Sequence, residues 1–238
     1  MDTRMKIINI KEKLNEIGTP IEDVALGVFD SIGEHTAKKQ RGPNSDLYHK
    51  VGAYFRPNYE RGILIYNLIK RYKLKSFLEI GFGRGYGTMC AAMAIHENGG
   101  GKVVSIDPNF NTNHVKNLMN IFPKEWFKLI KLQAGKSENI LPQIDEKFDF
   151  VYIDGDHTYD AVKLDWENTR DKFNKFVLFD DYLMPSKKSK DIECAKVIDE
   201  IDGYNKELII MDRRIFFDDR RLSDEQIDYG QVLVSHKE

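Results

Sequence analysis

Residues 77 to 88 read FLEIGFGRGYGT, an apolar run that breaks into alternating glycines and leads straight into a helical pattern. The apolar half, KSFLEI at 75 to 80, has the continuous hydrophobicity of a strand covered on both faces, as in a parallel sheet. Strand, glycine turn and helix in this order mark the place where an open α/β sheet binds ligands. The spacing narrows the ligand. Gly81, Gly83, Gly85 and Gly87 form G-x-G-x-G-x-G, whereas a dinucleotide fingerprint would need glycine at Tyr86 or Thr88, and no G-K-[ST] follows to make a phosphate-binding P-loop. The glycines then serve to let backbone approach something bulkier and less anionic. Glu79, two residues before the first glycine, puts a carboxylate at the strand tip, which repels a pyrophosphate and attracts a cation.

Outward from this turn, the chain alternates helix and strand patterns from residue 58 on. Helix NYERGILIYNLIKRYK precedes the first strand, and helix YGTMCAAMAIHEN follows it. Then come strand KVVSI, helix HVKNLMNIF, strand FKLIKL, a short helix around SENILPQI, strand FDFVYI, helix YDAVKLDWENTRDKF and strand KFVLF. Five strands joined by helices predict right-handed crossovers and a doubly wound, mostly parallel α/β sheet with helices on both faces. KELIIMD and QVLVS are candidate closing strands, with RRIFFDD divided between strand and loop. Residues 1–57 form a helical and loop flank; its part 31–57 lacks clear periodicity and is either a cover for a pocket or a solvated linker.

Composition sets broad limits. The chain's 238 residues, 41% hydrophobic, suffice for a packed core. Lys plus Arg (36) nearly balances Asp plus Glu (38), so no global field selects nucleic acid or an anionic membrane as partner. Cys90 and Cys194 form neither a disulfide framework nor a metal-knuckle spacing and read as ordinary small packed residues of a reducing cytosol. The charged N-terminal stretch has no apolar signal region, and no stretch approaches 18 uncharged apolar residues. A soluble, cytoplasmic protein is the expectation, with homo-oligomerisation left open.

Asp107 ends the second strand 20 residues after Gly87, where an acid can bond both hydroxyls of a ribose, or merely cap a helix. After the third strand, Gly135 and Ser137 in QAGKSEN are candidates for the base of a nucleoside; Ser137 also suits the N-cap of a short helix. Strand four ends at Asp154 and strand five at Asp180 and Asp181. In a parallel sheet these strands are neighbours, so three carboxylates converge unless protons or a cation separate them. A hard divalent cation such as Mg2+ answers that repulsion; caps and backbone hydrogen bonds are the plain alternative. His157, beyond the tight turn that Gly155 permits, brings an imidazole, the side chain suited to taking up a proton near neutral pH. Tyr159, Trp166 and Tyr182 flank the same edge as possible acceptor-pocket walls, although Val162, Trp166 and Phe173 at helical spacing favour core packing for Trp166.

The pattern E-x-G-x-G-x-G at Glu79 to Gly85 resembles the first motif of class I S-adenosylmethionine (SAM)-dependent methyltransferases. D-G-x-H at Asp154 to His157, followed by VLFDDY, resembles the branch with macrocin- and mycinamicin-type sugar O-methyltransferases and cephalosporin-hydroxylase-like proteins. This resemblance spans about residues 58 to 200. It implies a seven-stranded sheet of order 3-2-1-4-5-7-6 in a SAM-binding domain, 58–238. It further implies SAM at Glu79, Gly81, Gly83, Gly85, Asp107, Gly135 and Ser137, Mg2+ on Asp154, Asp180 and Asp181, and His157 as general base. The implied reaction is methyl transfer to a hydroxyl of a small molecule or sugar. The sequence departs from the branch before strand five, where KFNKF stands in place of a K-P-G-G turn. Two other readings remain at this point. VYIDGDHT also fits the nucleophile motif of haloacid-dehalogenase-like phosphatases, which would leave EIGFGRGYG unexplained. A SAM- or nucleoside-binding protein without catalysis is the second.

Overall fold

The structure, a computed structural model, describes residues 5–19, 28–29, 35–36, 45–55, 59–183, 192–211 and 229–237. In chain order its elements begin with β1 (Lys6–Asn9), α1 (Ile10–Glu16), the short β2 (Val28–Phe29) and β3 (His35–Thr36), and α2 (Ser45–Leu47) with a π-helical turn over Tyr48–Gly52. They continue with α3 (Tyr59–Tyr72), β4 (Ser76–Ile80), α4 (Tyr86–Glu97), β5 (Lys102–Asp107), α5 (Thr112–Ile121), α6 (Lys124–Phe127), β6 (Ile130–Ala134) and α7 (Ser137–Ile140). The last are β7 (Phe148–Ile153), α8 (Tyr159–Thr169), β8 (Phe173–Leu183), α9 (Cys194–Glu200), β9 (Tyr204–Ile210) and β10 (Tyr229–His236).

The central sheet runs β6-β5-β4-β7-β8-β10-β9-β1. From β6 to β8 every pair is parallel, β10 is antiparallel to both of its neighbours, and β1 lies parallel to β9. The doubly wound α/β architecture is therefore the expected one, while the count is eight strands instead of seven. The eighth strand, KIIN, comes from the segment expected to be only a flank. It was illegible because only its side chain Ile8 is buried, whereas Ile7 is largely exposed, a pattern too short to separate from the helix that follows at once. Asn9 ends the strand and starts that helix: it forms a capping box with Glu12, satisfying donors that the first turn leaves open. KELII of the first candidate closing strand lies in β9 and QVLVS in β10; Asp212, RRIFFDD and most of 31–44 lie outside the described residues.

Period-two alternation sorts the strand side chains into two cores. Phe77, Phe150, Tyr152, Phe176 and Leu178 pack toward α3 and α4. Leu78, Ile80, Val151, Ile153, Val177 and Phe179 pack toward α8 and α9, with Trp166 among them. All five residues of β4 are buried, as its unbroken apolar character required, and fully burying each large apolar side chain contributes about 1.5–3 kcal/mol. The alternation also fixes direction: Glu79, Tyr152 and Asp180 fall on the α3 side of the sheet, where a charge needs a partner. Among the described residues, no helix is long and apolar enough to cross a membrane.

Candidate active site

The glycine turn is held by backbone laced between strands. Gly81 N donates to Ile106 O at 2.9 Å, and Asp154 N donates to Ile80 O at 2.9 Å. Gly81 has φ +94°, and a side chain there would overlap the carbonyl oxygen of Asp154, so this position needs glycine twice over. Gly83 N donates 3.1 Å to Asp107 Oδ2, while Asp107 Oδ1 accepts from Asn109 N at 2.8 Å. Asp107 thus ties the end of β5 to the glycine loop. Gly85 is the N-cap of α4.

Glu79 is buried, at 1% exposure. Its Oε2 accepts from Ser105 Oγ at 2.7 Å and from Thr88 Oγ1. Burial pushes its acid up to about 7, against the opposing pull of those hydroxyls. A cavity of about 270 Å³ opens here between Arg61, Glu79, Gly81, Gly83, Tyr152 and Asp154. A larger cavity of about 490 Å³ lies at the other edge of the sheet. There Glu207 is already paired with Lys6 and Lys13, whereas the smaller cavity lies on the Gly81–Gly87 turn, so the chemistry points to the smaller one.

The acidic residues separate. β8 does not end at Asp180 but runs through to Leu183, and β10 pairs with it irregularly: Phe179 faces Val232 and Tyr182 faces Gly230, leaving Asp180 and Asp181 opposite the single residue Gln231. That is a β-bulge, the device that re-aims a side chain beside a site. Asp181 takes up φ +51°, a left-handed conformation that strains a non-glycine residue. Asp180 turns into the protein: Oδ2 accepts from Tyr152 Oη at 2.7 Å, and Oδ1 faces Gln231 Nε2 at 3.4 Å. Asp181 turns toward the loop after β7, placing Oδ2 3.5 Å from His157 Nε2. Ligand atoms of Asp154, His157 and Asp181 lie within 4.8 Å of one another, and Asp180 is not in that group.

Arg61, from the first turn of α3, stands between the two aspartates. Its Nη1 is 3.0 Å from Asp180 Oδ2 and its Nη2 2.8 Å from Asp181 Oδ1. No motif marks Arg61 in the sequence, and sequence reasoning missed it; only the packing of α3 on this face brings it here. One guanidinium does not balance three carboxylates. Burial, then repulsion from Asp180, holds the acid of Asp154 well above the usual carboxylate range despite Arg61, and the same two causes raise that of Asp181. Cys194, at the start of α9, puts Sγ 3.8 Å from His157 Nδ1, and Glu193 N donates 2.8 Å to His157 O, so α9 steadies the histidine loop.

The remaining candidates sit around this centre. Gly135 N donates 3.0 Å to Asp107 O, which joins the loop after β6 to the end of β5. Ser137 is the first residue of α7, with Lys136 as the N-cap. Asp156 accepts from Thr158 N at 2.9 Å and is an exposed turn residue. Tyr159 and Tyr182 do not face the acids: their hydroxyls donate to Glu200 at 2.7 Å and Asp199 at 3.1 Å. Trp166 is core, packed against Phe173, Phe179 and Tyr204.

Residues 78–182 match the family model of a methyltransferase domain. Among solved structures, the chain resembles the O-methyltransferase from Bacillus cereus in complex with S-adenosylhomocysteine (SAH). Identity is 17%, with 82% of this chain and 92% of that one covered and a TM-score of 0.58. It also resembles the O-methyltransferase TomG from Streptomyces achromogenes in complex with SAM, at 16% identity, 82% and 91% coverage and a TM-score of 0.57. A third is the SAH-bound methyltransferase PaMTH1 from Podospora anserina, at 16% identity, 82% and 89% coverage and a TM-score of 0.51. No curated protein matches the chain in sequence. At such identities the structural likeness establishes the fold, which is that of SAM-dependent methyltransferases, and residues 78–182 add a match to a methyltransferase domain. The phosphatase reading of VYIDGDHT is thereby set aside: Asp154 ends the fourth strand of a methyltransferase sheet.

Proposed function

We propose that this methyltransferase moves the methyl group of SAM to a hydroxyl of a small molecule or sugar, with a divalent cation such as Mg2+ at the acidic centre. The observation that carries the reading is the convergence of Asp154, His157 and Asp181 beside the glycine-lined cavity. The Bacillus and Streptomyces neighbours, both O-methyltransferases, support oxygen as the atom methylated.

Two carboxylates, with negative charge left over after Arg61, suit a divalent cation, and the imidazole of His157 stands beside them. Asp154 and Asp181 would hold it, and Asp180, expected beside them, acts from behind through Arg61. The cation would supply Lewis-acid polarisation of the acceptor hydroxyl. Glu79 and Gly81 would hold the amino-acid end of SAM, Gly83 and Gly85 would shape the turn beneath it, Asp107 would take the ribose hydroxyls, and Gly135 and Ser137 would hold the base. His157 Nε2 receives the hydroxyl proton as the acceptor oxygen bonds the methyl carbon and the carbon–sulfur electron pair stays on sulfur. Held in line by these residues, a sulfonium that is already reactive needs little beyond positioning.

Calorimetric titration of SAM tests the cofactor reading: wild type should bind, and Asp107→Ala should bind at least about tenfold more weakly, the loss of a charged hydrogen-bond partner. Equal affinity would remove the assignment. Methyl transfer to a panel of sugars and phenols, assayed with EDTA and with Mg2+ restored, tests the cation; transfer unaffected by EDTA sinks it. Binding of SAM without transfer to any acceptor hydroxyl would favour a binding protein.

A further inference from the structure

Arg61 belongs to both halves of the site. Its guanidinium bonds Asp180 at 3.0 Å and Asp181 at 2.8 Å. The same residue lines the glycine-loop cavity with Glu79 and Asp154. That cavity therefore has two carboxylates in its wall, and its cations are Arg61 and Arg84. Arg84 sits exposed in the glycine turn. A ligand carboxylate entering the cavity meets two acidic side chains and needs a cation close by. Arg61 is anchored by its backbone in α3, and its side chain is 24% exposed. While it stays on Asp181, it sets a positive charge against the carboxylate that a divalent cation would use.

On the strength of the proposed function, we propose that Arg61 is a cation shared between the acid pair and the carboxylate of the cofactor's amino-acid end, coupling cofactor binding to divalent-cation binding. Drawn toward the cofactor, the guanidinium uncovers Asp181 and the group becomes a better cation site. A cation seated on Asp154 and Asp181 releases Arg61 to the cofactor in turn, and linkage makes the two effects equal. Arg61 is in this sense a positioning residue, acting on the transfer only through its two partners.

The test is a titration of Mn2+ into the full chain, followed by loss of the free-ion electron paramagnetic resonance signal. It is run alone, with saturating SAH, and with methylthioadenosine, which shares the nucleoside but lacks the amino-acid end. SAH should tighten Mn2+ binding by about tenfold and methylthioadenosine by less than about twofold. Arg61→Gln should bind Mn2+ more tightly than wild type without any nucleoside and gain nothing from SAH. An equal effect of SAH and methylthioadenosine, or an SAH effect that survives in Arg61→Gln, overturns the proposal while leaving the cation site standing. Absence of Mn2+ binding by the wild type under all three conditions overturns both the coupling and the cation reading. The wild-type comparison of the two nucleosides decides the matter even if the variant does not fold.

Discussion

Asp180 and Asp181, adjacent in the chain, share Arg61 but reach different partners beyond it: Asp180 accepts the buried hydroxyl of Tyr152 at 2.7 Å, while Asp181 reaches to 3.5 Å from His157. The cause is the bulge against Gln231, which gives β8 one residue more than its partner strand at this point. Arg61 bridges the result, so two carboxylates that would repel form one ion-paired unit around a shared guanidinium.

That unit should behave as a buried ion pair in stability measurements. Asp180 has no exposed side-chain surface, so Arg61→Leu leaves a carboxylate buried without its counter-charge and should cost about 3–5 kcal/mol. The double variant Arg61→Leu with Asp180→Leu removes both charges and should recover a large part of the loss. Urea unfolding of the three proteins checks this; additive losses would show that the pair is not a unit.

Glu79 sets a pH dependence. Its acid lies at about 7 in the folded protein, against about 4.3 for an unstructured glutamate, with burial as the cause. Between those values the folded state holds a proton that the unfolded chain releases, so this residue's contribution falls as pH rises and levels off above pH 7. Glu79→Gln cannot titrate. From pH 5 to pH 8 its stability should improve relative to wild type by on the order of 3 kcal/mol, read from unfolding curves at each pH. A constant difference across that range would mean the carboxylate is not buried in solution.

Two glycines of the turn should respond differently to alanine. At Gly81 a side chain meets the carbonyl of Asp154, an atom of the backbone that cannot step aside, and Gly81→Ala should cost more than about 3 kcal/mol and abolish SAM binding. Gly83 has φ +51° but open space around it, so Gly83→Ala carries only left-handed strain, about 1–2 kcal/mol. Thermal unfolding and SAM calorimetry of the pair would expose an equal effect if the reasoning fails.

Both cysteines should resist alkylation in the native protein. Burial raises the thiol of Cys90 far above its ordinary value, and burial followed by the nearby Asp181 pushes Cys194 up to about 12. Iodoacetamide at pH 8 should label neither until urea is added, as counted by intact mass; prompt native labelling of Cys194 would show that α9 opens.

Much of this protein could be read without its structure because its signals are local. The buried strand SFLEI, the glycine spacing after it and the alternation of periods fix a doubly wound α/β sheet, and Asp107 falls at a strand end wherever that sheet is built. D-G-x-H puts Asp154 and His157 on one short loop by chain connectivity alone. Tertiary structure decided what depends on elements far apart in sequence. The strand KIIN gains its identity only from pairing with β9, and Glu79 becomes a buried acid only through Thr88 and Ser105 on two other elements. Arg61 reaches Asp181 from 120 residues away. Which of two adjacent aspartates faces His157 was decided by a bulge against β10, because strand alternation assigns faces by counting residues and one unpaired residue in a strand shifts the count.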